Sequence, residues 1–150
     1  MQLTRFTDLG LRVLMYLSGP ERGQAITSAE IAQRFDVSLH HLTKVVQFLA
    51  QQGWVHTSRG KGGGLSLAMA PQQYRLGQVI RLLEGHTVLI DCAQPPCVLR
   101  GQCGLQGLLS QALEGFYAAL DAYTLADALQ TSTQQAIITL HKLGTSASAT

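Results

Sequence analysis

The sequence predicts a mostly α-helical protein with one small β-hairpin. Three observations support that class. Apolar residues recur at helical spacing along most of the 150 residues, two strand-like runs flank a glycine-rich hexamer, and all three cysteines fall within the segment from Cys92 to Cys103. The length suits one domain, or a small domain with an appendage.

Taken in order, Thr4 or Thr7 is placed to cap a first helix containing Leu11, Leu14, Met15 and Leu17, which Gly19-Pro20 breaks. Thr27-Ser28-Ala29-Glu30 reads as a capping box: the Thr27 hydroxyl accepts the Glu30 amide N–H, and the Glu30 carboxylate returns to the cap. A short helix follows with Ile31, Ala32 and Phe35 facing inward. After a turn at Asp36-Val37, Ser38 caps a second helix whose Leu42, Val45, Val46 and Leu49 form one apolar face. His40, His41, Thr43, Lys44 and Gln47 occupy the opposite face. Two short helices, the second polar on its outer side, fit a helix-turn-helix.

Trp54 to Ser58 and Leu65 to Ala68 are strand-like, and Arg59-Gly-Lys-Gly-Gly-Gly64 joins them. Glycines let such a tip approach a surface, and Arg59 and Lys61 supply charge for phosphates or a narrow minor groove. Directly after a helix-turn-helix this hairpin reads as a wing. Gln72 to Leu83 is expected to be a helix ended by Gly85, and Pro95, Pro96, Gly101 and Gly104 keep the cysteine segment irregular. From Leu105 the apolar series Leu108, Leu109, Ala112, Leu113, Phe116, Tyr117, Leu120 predicts a long helix that packs on its mate from a second subunit. Ile137, Ile138, Leu140 and Leu143 suggest a weak turn or two in the tail, and the last seven residues read as disordered. The expected organisation is a winged helix-turn-helix DNA-binding domain over 1–83, a cluster-binding loop over 84–104, a dimerisation helix over 105–130 and a partly disordered tail over 131–150.

Charged residues make up 13% of the chain, about half the usual ~25%. The apolar surface this leaves calls for a partner subunit. The net charge of +2 is uneven: residues 1–81 carry nine Lys/Arg against four Asp/Glu, and residues 82–150 two against five. A basic N-terminal half suits nucleic acid. No run of 18 apolar residues appears and the N-terminal hexamer lacks a signal peptide's apolar core, so a cytoplasmic protein away from membranes is expected. No Rossmann-type glycine pattern or nucleophile–base constellation argues for an enzyme.

The cysteine spacing is Cys92-x4-Cys97-x5-Cys103. An odd count in a reducing compartment argues against a plain disulfide framework. Thiolates are soft ligands suited to iron–sulfur clusters or zinc. A [2Fe–2S] or [4Fe–4S] cluster takes four protein ligands, so the fourth must be another residue type or come from another subunit. Zinc has no local His to complete it, and a metal-free Cys92–Cys97 thiol switch stays open.

Together, Met1-Gln-Leu-Thr-Arg-Phe-Thr-Asp8, Arg59-Gly-Lys-Gly-Gly-Gly64, the x4/x5 spacing and Leu120-Asp-Ala-Tyr-Thr-Leu-Ala-Asp127 resemble the winged-helix iron–sulfur transcription regulators. The likeness covers roughly residues 1–130. The spacing matches the nitric-oxide-sensing repressors of that family and differs from that of its cluster-assembly regulators. Pro95-Pro96 and the long tail have no place in the pattern. The resemblance implies a homodimer on palindromic operator DNA, with one cluster per subunit, [4Fe–4S] before [2Fe–2S]. It places the cluster on Cys92, Cys97, Cys103 and an Asp8 supplied across the dimer. Read from the residues alone, Asp8 is an acid favoured at a helix start. The resemblance further implies release of nitric oxide detoxification genes when nitric oxide attacks the cluster. Ser38, His40, His41 and Lys44 would then meet the major groove, and Arg59 and Lys61 the flanking minor groove. The competing expectation is a winged-helix regulator of redox or iron status, acting through thiol oxidation or a different cluster.

Overall fold

A computed structural model describes residues 2–85 and 88–145. Met1, His86, Thr87 and residues 146–150, the last being most of the segment expected to be disordered, lie outside the described residues.

The first helix, α1, runs Arg5–Leu17. Of the two candidate threonines Thr4 is the cap, its hydroxyl accepting the Thr7 N–H at 3.2 Å, while Thr7 is buried. Helix α2 spans Ser28–Arg34, and Thr27 accepts the Glu30 N–H at 3.1 Å. The return half of the expected capping box is replaced. The Glu30 carboxylate instead accepts from the Tyr16 hydroxyl and the Arg22 guanidinium. A cationic donor makes a stronger hydrogen bond to a carboxylate than a backbone amide does, and the buried Tyr16 brings its hydroxyl there from α1.

Helix α3, Leu39–Gln51, follows a turn in which Asp36 takes the left-handed conformation at φ 49°. Ser38 holds the cap position but makes no side-chain capping bond, contrary to expectation. Leu42, Val45, Val46 and Leu49 are all buried, as their spacing predicts. They meet Val13, Leu14 and Tyr16 of α1 and Ile31 and Ala32 of α2 in the main core.

Strands β1, Val55–Thr57, and β2, Leu65–Leu67, pair antiparallel with Val55 opposite Leu67 and Thr57 opposite Leu65. Ile26 adds a bridge to Leu65, whose N–H reaches the Ile26 carbonyl at 2.8 Å. The hairpin is therefore fastened to the segment leading into α2. Buried Tyr74 secures its base: its hydroxyl donates to the Trp54 carbonyl at 2.7 Å and accepts the Met69 N–H at 3.2 Å.

The helix expected over 72–83 is broken. A 3-10 turn covers Pro71–Gln73, and α4 spans Leu76–Glu84, ending at Gly85. Tyr74 and Arg75 are extended because their backbone pairs elsewhere: Arg75 bridges Thr124, the Tyr74 carbonyl accepts the Leu125 N–H at 2.9 Å, and the Leu76 N–H reaches Tyr123 at 3.0 Å.

Helix α5 spans Gly104–Asp121 and lies against α4. Ile80 of α4 with Leu113 and Tyr117 of α5 forms a second, smaller core. Asp121 accepts the Gln78 N–H at 2.9 Å, capping α4 from another helix. A short α6, Leu125–Ala128, leads to α7, Thr131–Thr145. The tail thus carries a 15-residue helix where its sequence suggests only a turn or two. Packing supplies what the weak periodicity does not: Ile137 and His141 are buried, Ile137 within the main core. No helix among the described residues is long and apolar enough to cross a membrane.

Candidate nucleic-acid interface and thiol loop

Burial of the apolar face of α3 turns its polar face outward. Ser38, His40, His41 and Lys44 are all exposed there. Thr43 turns its hydroxyl to the Leu39 carbonyl at 2.8 Å and so serves its own helix. The hairpin tip presents Arg59 and Lys61, both exposed, between strands held by the Ser58 N–H on the Gly64 carbonyl at 2.9 Å. Gly60 and Gly62 take positive φ of 95° and 85°, which lets the tip reverse within so few residues. Two cations on a slim, glycine-built projection suit phosphate contact or insertion into a groove.

An open groove of about 360 Å³ separates α1 from the start of α3, and Arg5, Asp8, Arg12, Ser38 and His41 line it. Arg5 and Arg12 are cations beside the start of α3 that the expected DNA contacts leave out. Their signal was available: Arg5, Asp8 and Arg12 sit at i, i+3 and i+7, one face of a helix. Arg12 holds Asp8 through two contacts, at 3.0 Å from Nε and 2.9 Å from Nη2. Asp8 therefore lies beside Ser38 and His41, paired with a guanidinium.

The three cysteines are free thiols, Cys97 exposed and Cys92 and Cys103 half-buried. Their loop is a series of turns: the Cys97 N–H reaches the Cys92 carbonyl at 3.2 Å, Arg100 reaches Cys97 at 3.1 Å, and Gln102 reaches Leu99 at 3.1 Å. Cys103 is the N-cap residue of α5, a position with unpaired N–H donors that favours negative charge. Among the described residues no three His, Cys, Asp or Glu side chains come together to hold a metal ion. The loop thus brings Cys92 and Cys97 into one backbone turn, and it does not gather all three thiols with Asp8. As a donor set, three accessible thiols are soft and fit an iron–sulfur cluster in kind, one ligand short of four.

The ends of this loop are structural joints. Glu84, the last residue of α4, accepts both the N–H and the hydroxyl of Thr4 at 2.8 and 3.0 Å. The residue that caps α1 is therefore held by the residue that precedes the thiol loop. Between the two helices that flank the loop, Arg81 of α4 grips Glu114 of α5 through two bonds of 2.8 and 2.9 Å and lies 4.2 Å over the Tyr117 ring.

Residues 3–131 match the Rrf2 family, described as iron-dependent transcriptional regulators. The HTH-type transcriptional regulator NsrR of Bacillus subtilis (strain 168) is 39% identical over 130 residues, covering 85% of this chain and 89% of its own. NsrR of Geobacillus kaustophilus (strain HTA426) is 41% identical over 133 residues, covering 87% and 90%. The structure of CymR, the global cysteine regulator of B. subtilis, superimposes with a TM-score of 0.67 at 24% identity, covering 85% of this chain and 95% of that one, a likeness of fold. With the family model matched over most of the chain and two relatives near 40% identity, this chain belongs to the Rrf2 family of transcriptional regulators.

Proposed function

We propose that the chain is a homodimeric repressor that binds palindromic operator DNA and senses nitric oxide through an iron–sulfur cluster. Cys92, Cys97 and Cys103 hold the cluster, [4Fe–4S] by preference, together with Asp8 of the partner subunit. The bond from Thr4 to Glu84 carries this reading, because it joins the thiol loop to the helix that packs on α3. A cluster bound there supplies iron that nitric oxide attacks.

The chain's own residues convert loop order into DNA affinity. A loop drawn together by its thiols fixes the distance between Glu84 and Cys103, and with it the angle of α4 on α5. Through Glu84 and Thr4 it fixes α1, and α1 carries α3. Two such units present their reading helices one DNA turn apart, about 34–36 Å. Asp8, which Arg12 holds in its own chain, would be the fourth ligand offered across the dimer.

The test is anaerobic absorbance of the freshly isolated protein during nitric oxide titration, followed in parallel by binding to a duplex that the wild-type chain selects from a random-sequence pool. A band in the visible that bleaches stepwise as DNA is released supports the reading. Cys97→Ala must lose both colour and affinity; a variant keeping both removes the cluster assignment. One observation favours a second reading, thiol oxidation without metal: Cys92 and Cys97 share a backbone turn, and Cys97 is exposed. A colourless protein, even after reconstitution with iron and sulfide, whose DNA binding falls with peroxide and returns with reductant would establish it instead.

A further inference from the structure

The resemblance to the family ends at residue 131, where α7 begins. That helix folds back across the chain and docks on the DNA-reading unit. His141 is 5% exposed and places Nε2 3.0 Å from the Tyr16 carbonyl, with its ring 4.3 Å from the Tyr16 ring. Tyr16 in turn donates its hydroxyl to Glu30, the α2 residue that also holds Arg22. A line of contacts therefore runs from α7 through Tyr16 of α1 to Glu30 in the first turn of α2. Because a carbonyl only accepts, Nε2 carries the proton in that contact, and the other ring nitrogen, Nδ1, is buried with no hydrogen-bond partner among the described residues.

The seat is cut to the shape of this histidine. A methyl group on Gly19 would lie 2.4 Å from Cε1 of His141 and 3.0 Å from Ile137, so only the absence of a side chain at residue 19 lets α7 close. The fit is not continuous. An open cleft of about 250 Å³ remains beside it, lined by Ser18, Gly19, Pro20, Leu129, Ile137 and Ile138 among others. A helix held by a few contacts beside a cleft belongs to the part of a fold that opens first.

We propose that α7 is a reversible clamp on the helix-turn-helix, with His141 as its positioning residue and Gly19 as its seat. Closed, it holds α1 and α2 in the arrangement that presents α3 to DNA. Open, it leaves the Arg22–Glu30–Tyr16 contacts without backing. The clamp gives this chain a second route from the end of α5 to the reading helices, independent of the thiol loop. Its DNA arm rests on the operator-binding reading above, and its mechanical arm does not.

Three full-length proteins test it: wild type, Gly19→Ala and the double variant Gly19→Ala/His141→Ala. Hydrogen exchange is read over residues 28–51 and 131–145, and affinity is read on the duplex selected by the wild-type chain. Gly19→Ala is expected to speed exchange in both α7 and α2 by about tenfold or more, and to weaken DNA binding roughly three- to tenfold. The double variant, which also removes the His141 ring and its bond to Tyr16, is expected to open no further than Gly19→Ala, because the methyl has already broken that seat. Continued protection of α7 in Gly19→Ala overturns the seat. An opened α7 with unchanged α2 exchange and unchanged affinity overturns the clamp, leaving α7 as packing alone. A double variant that opens well beyond Gly19→Ala, with the two effects adding, overturns the pairing of Gly19 with His141. If the wild-type chain selects no duplex, the operator reading fails, and exchange in α2 alone decides the clamp.

Discussion

At the scale of single residues, the side chains that hold the reading unit in place sit behind it. Burial and the Glu30 hydrogen bond push the Tyr16 hydroxyl up to about 12, so it remains a donor at any physiological pH. Burial pushes the Glu30 carboxyl up, but the bonds from Arg22 and Tyr16 outweigh it and hold the group below its ordinary 4.5. Burial holds His141 below its ordinary 6.5; the Tyr16 carbonyl and Glu30 act the other way, and Arg22 reinforces burial. His141 is thus neutral when α7 is docked, and the undocked helix binds protons more readily. Docking is therefore fully present above about pH 6.5 and is lost as pH falls through the lowered value. Glu30 gives a second loss of the same sign below about pH 4.5. Nuclear magnetic resonance shifts of α7 should move as pH falls below about 6.5 in the wild type and stay still in His141→Phe; identical pH profiles in the two proteins would refute the assignment. Tyr74 makes a separate point. Tyr74→Phe strips the Trp54 carbonyl and the Met69 N–H of their shared partner, a loss of about 1–3 kcal/mol. Urea unfolding followed by the single tryptophan, Trp54, reads that loss at the base of the wing itself.

At the scale of elements, the joint between α4 and α5 leaves no room for a side chain at its closest point. A methyl group on Gly77 would lie 2.3 Å from the Tyr117 carbonyl and 2.4 Å from Asp121 Oδ1, the same atom that caps the Gln78 N–H. Gly77→Ala must part the two helices or break that cap, at a cost of about 1–3 kcal/mol by overpacking. Denaturant midpoints check the cost, and an unchanged midpoint would mean that the joint yields freely. Such contacts explain what could be read in advance. Helices with strong local periodicity were legible: Leu42, Val45, Val46 and Leu49 are buried as their spacing requires. The hairpin was legible from Arg59 to Gly64. What stayed hidden was set by partners distant in sequence. The Tyr74-Arg75 break answers to Thr124 and Leu125, the Glu30 carboxylate to Tyr16 and Arg22, and α7 to Gly19. The exposed polar face of α3 was legible because residues opposite an apolar face turn outward. The path of the thiol loop was not legible, since three thiols specify the donor type without saying how the backbone arranges them.

At the scale of the whole molecule, one chain leaves too much apolar surface open to be complete. Leu105 and Leu108 on α5 are 59% and 65% exposed, and Val98 and Leu99 of the thiol loop 98% and 60%. Ala112, Gly115 and Ala119 continue the α5 face at helical spacing and are exposed as well. Small residues below large ones let two helices approach closely, and the adjoining loop residues extend the face toward Cys97 and Cys103. In the proposed dimer, a second copy on this face would also shield the thiol loop and carry its Asp8 into the same assembly. Leu108→Glu places a charge at the middle of that face while leaving the buried side of α5, Leu113 and Tyr117, untouched. It is expected to give a folded monomer by light scattering, with unchanged helical circular dichroism. DNA binding should weaken and depend less steeply on salt, because one chain neutralises about half the phosphates that two do and the slope of log affinity against log salt scales with that number. A Leu108→Glu protein that remains dimeric and keeps the wild-type salt slope would place the subunit contact on another face and break the link drawn here between dimer, thiol loop and Asp8.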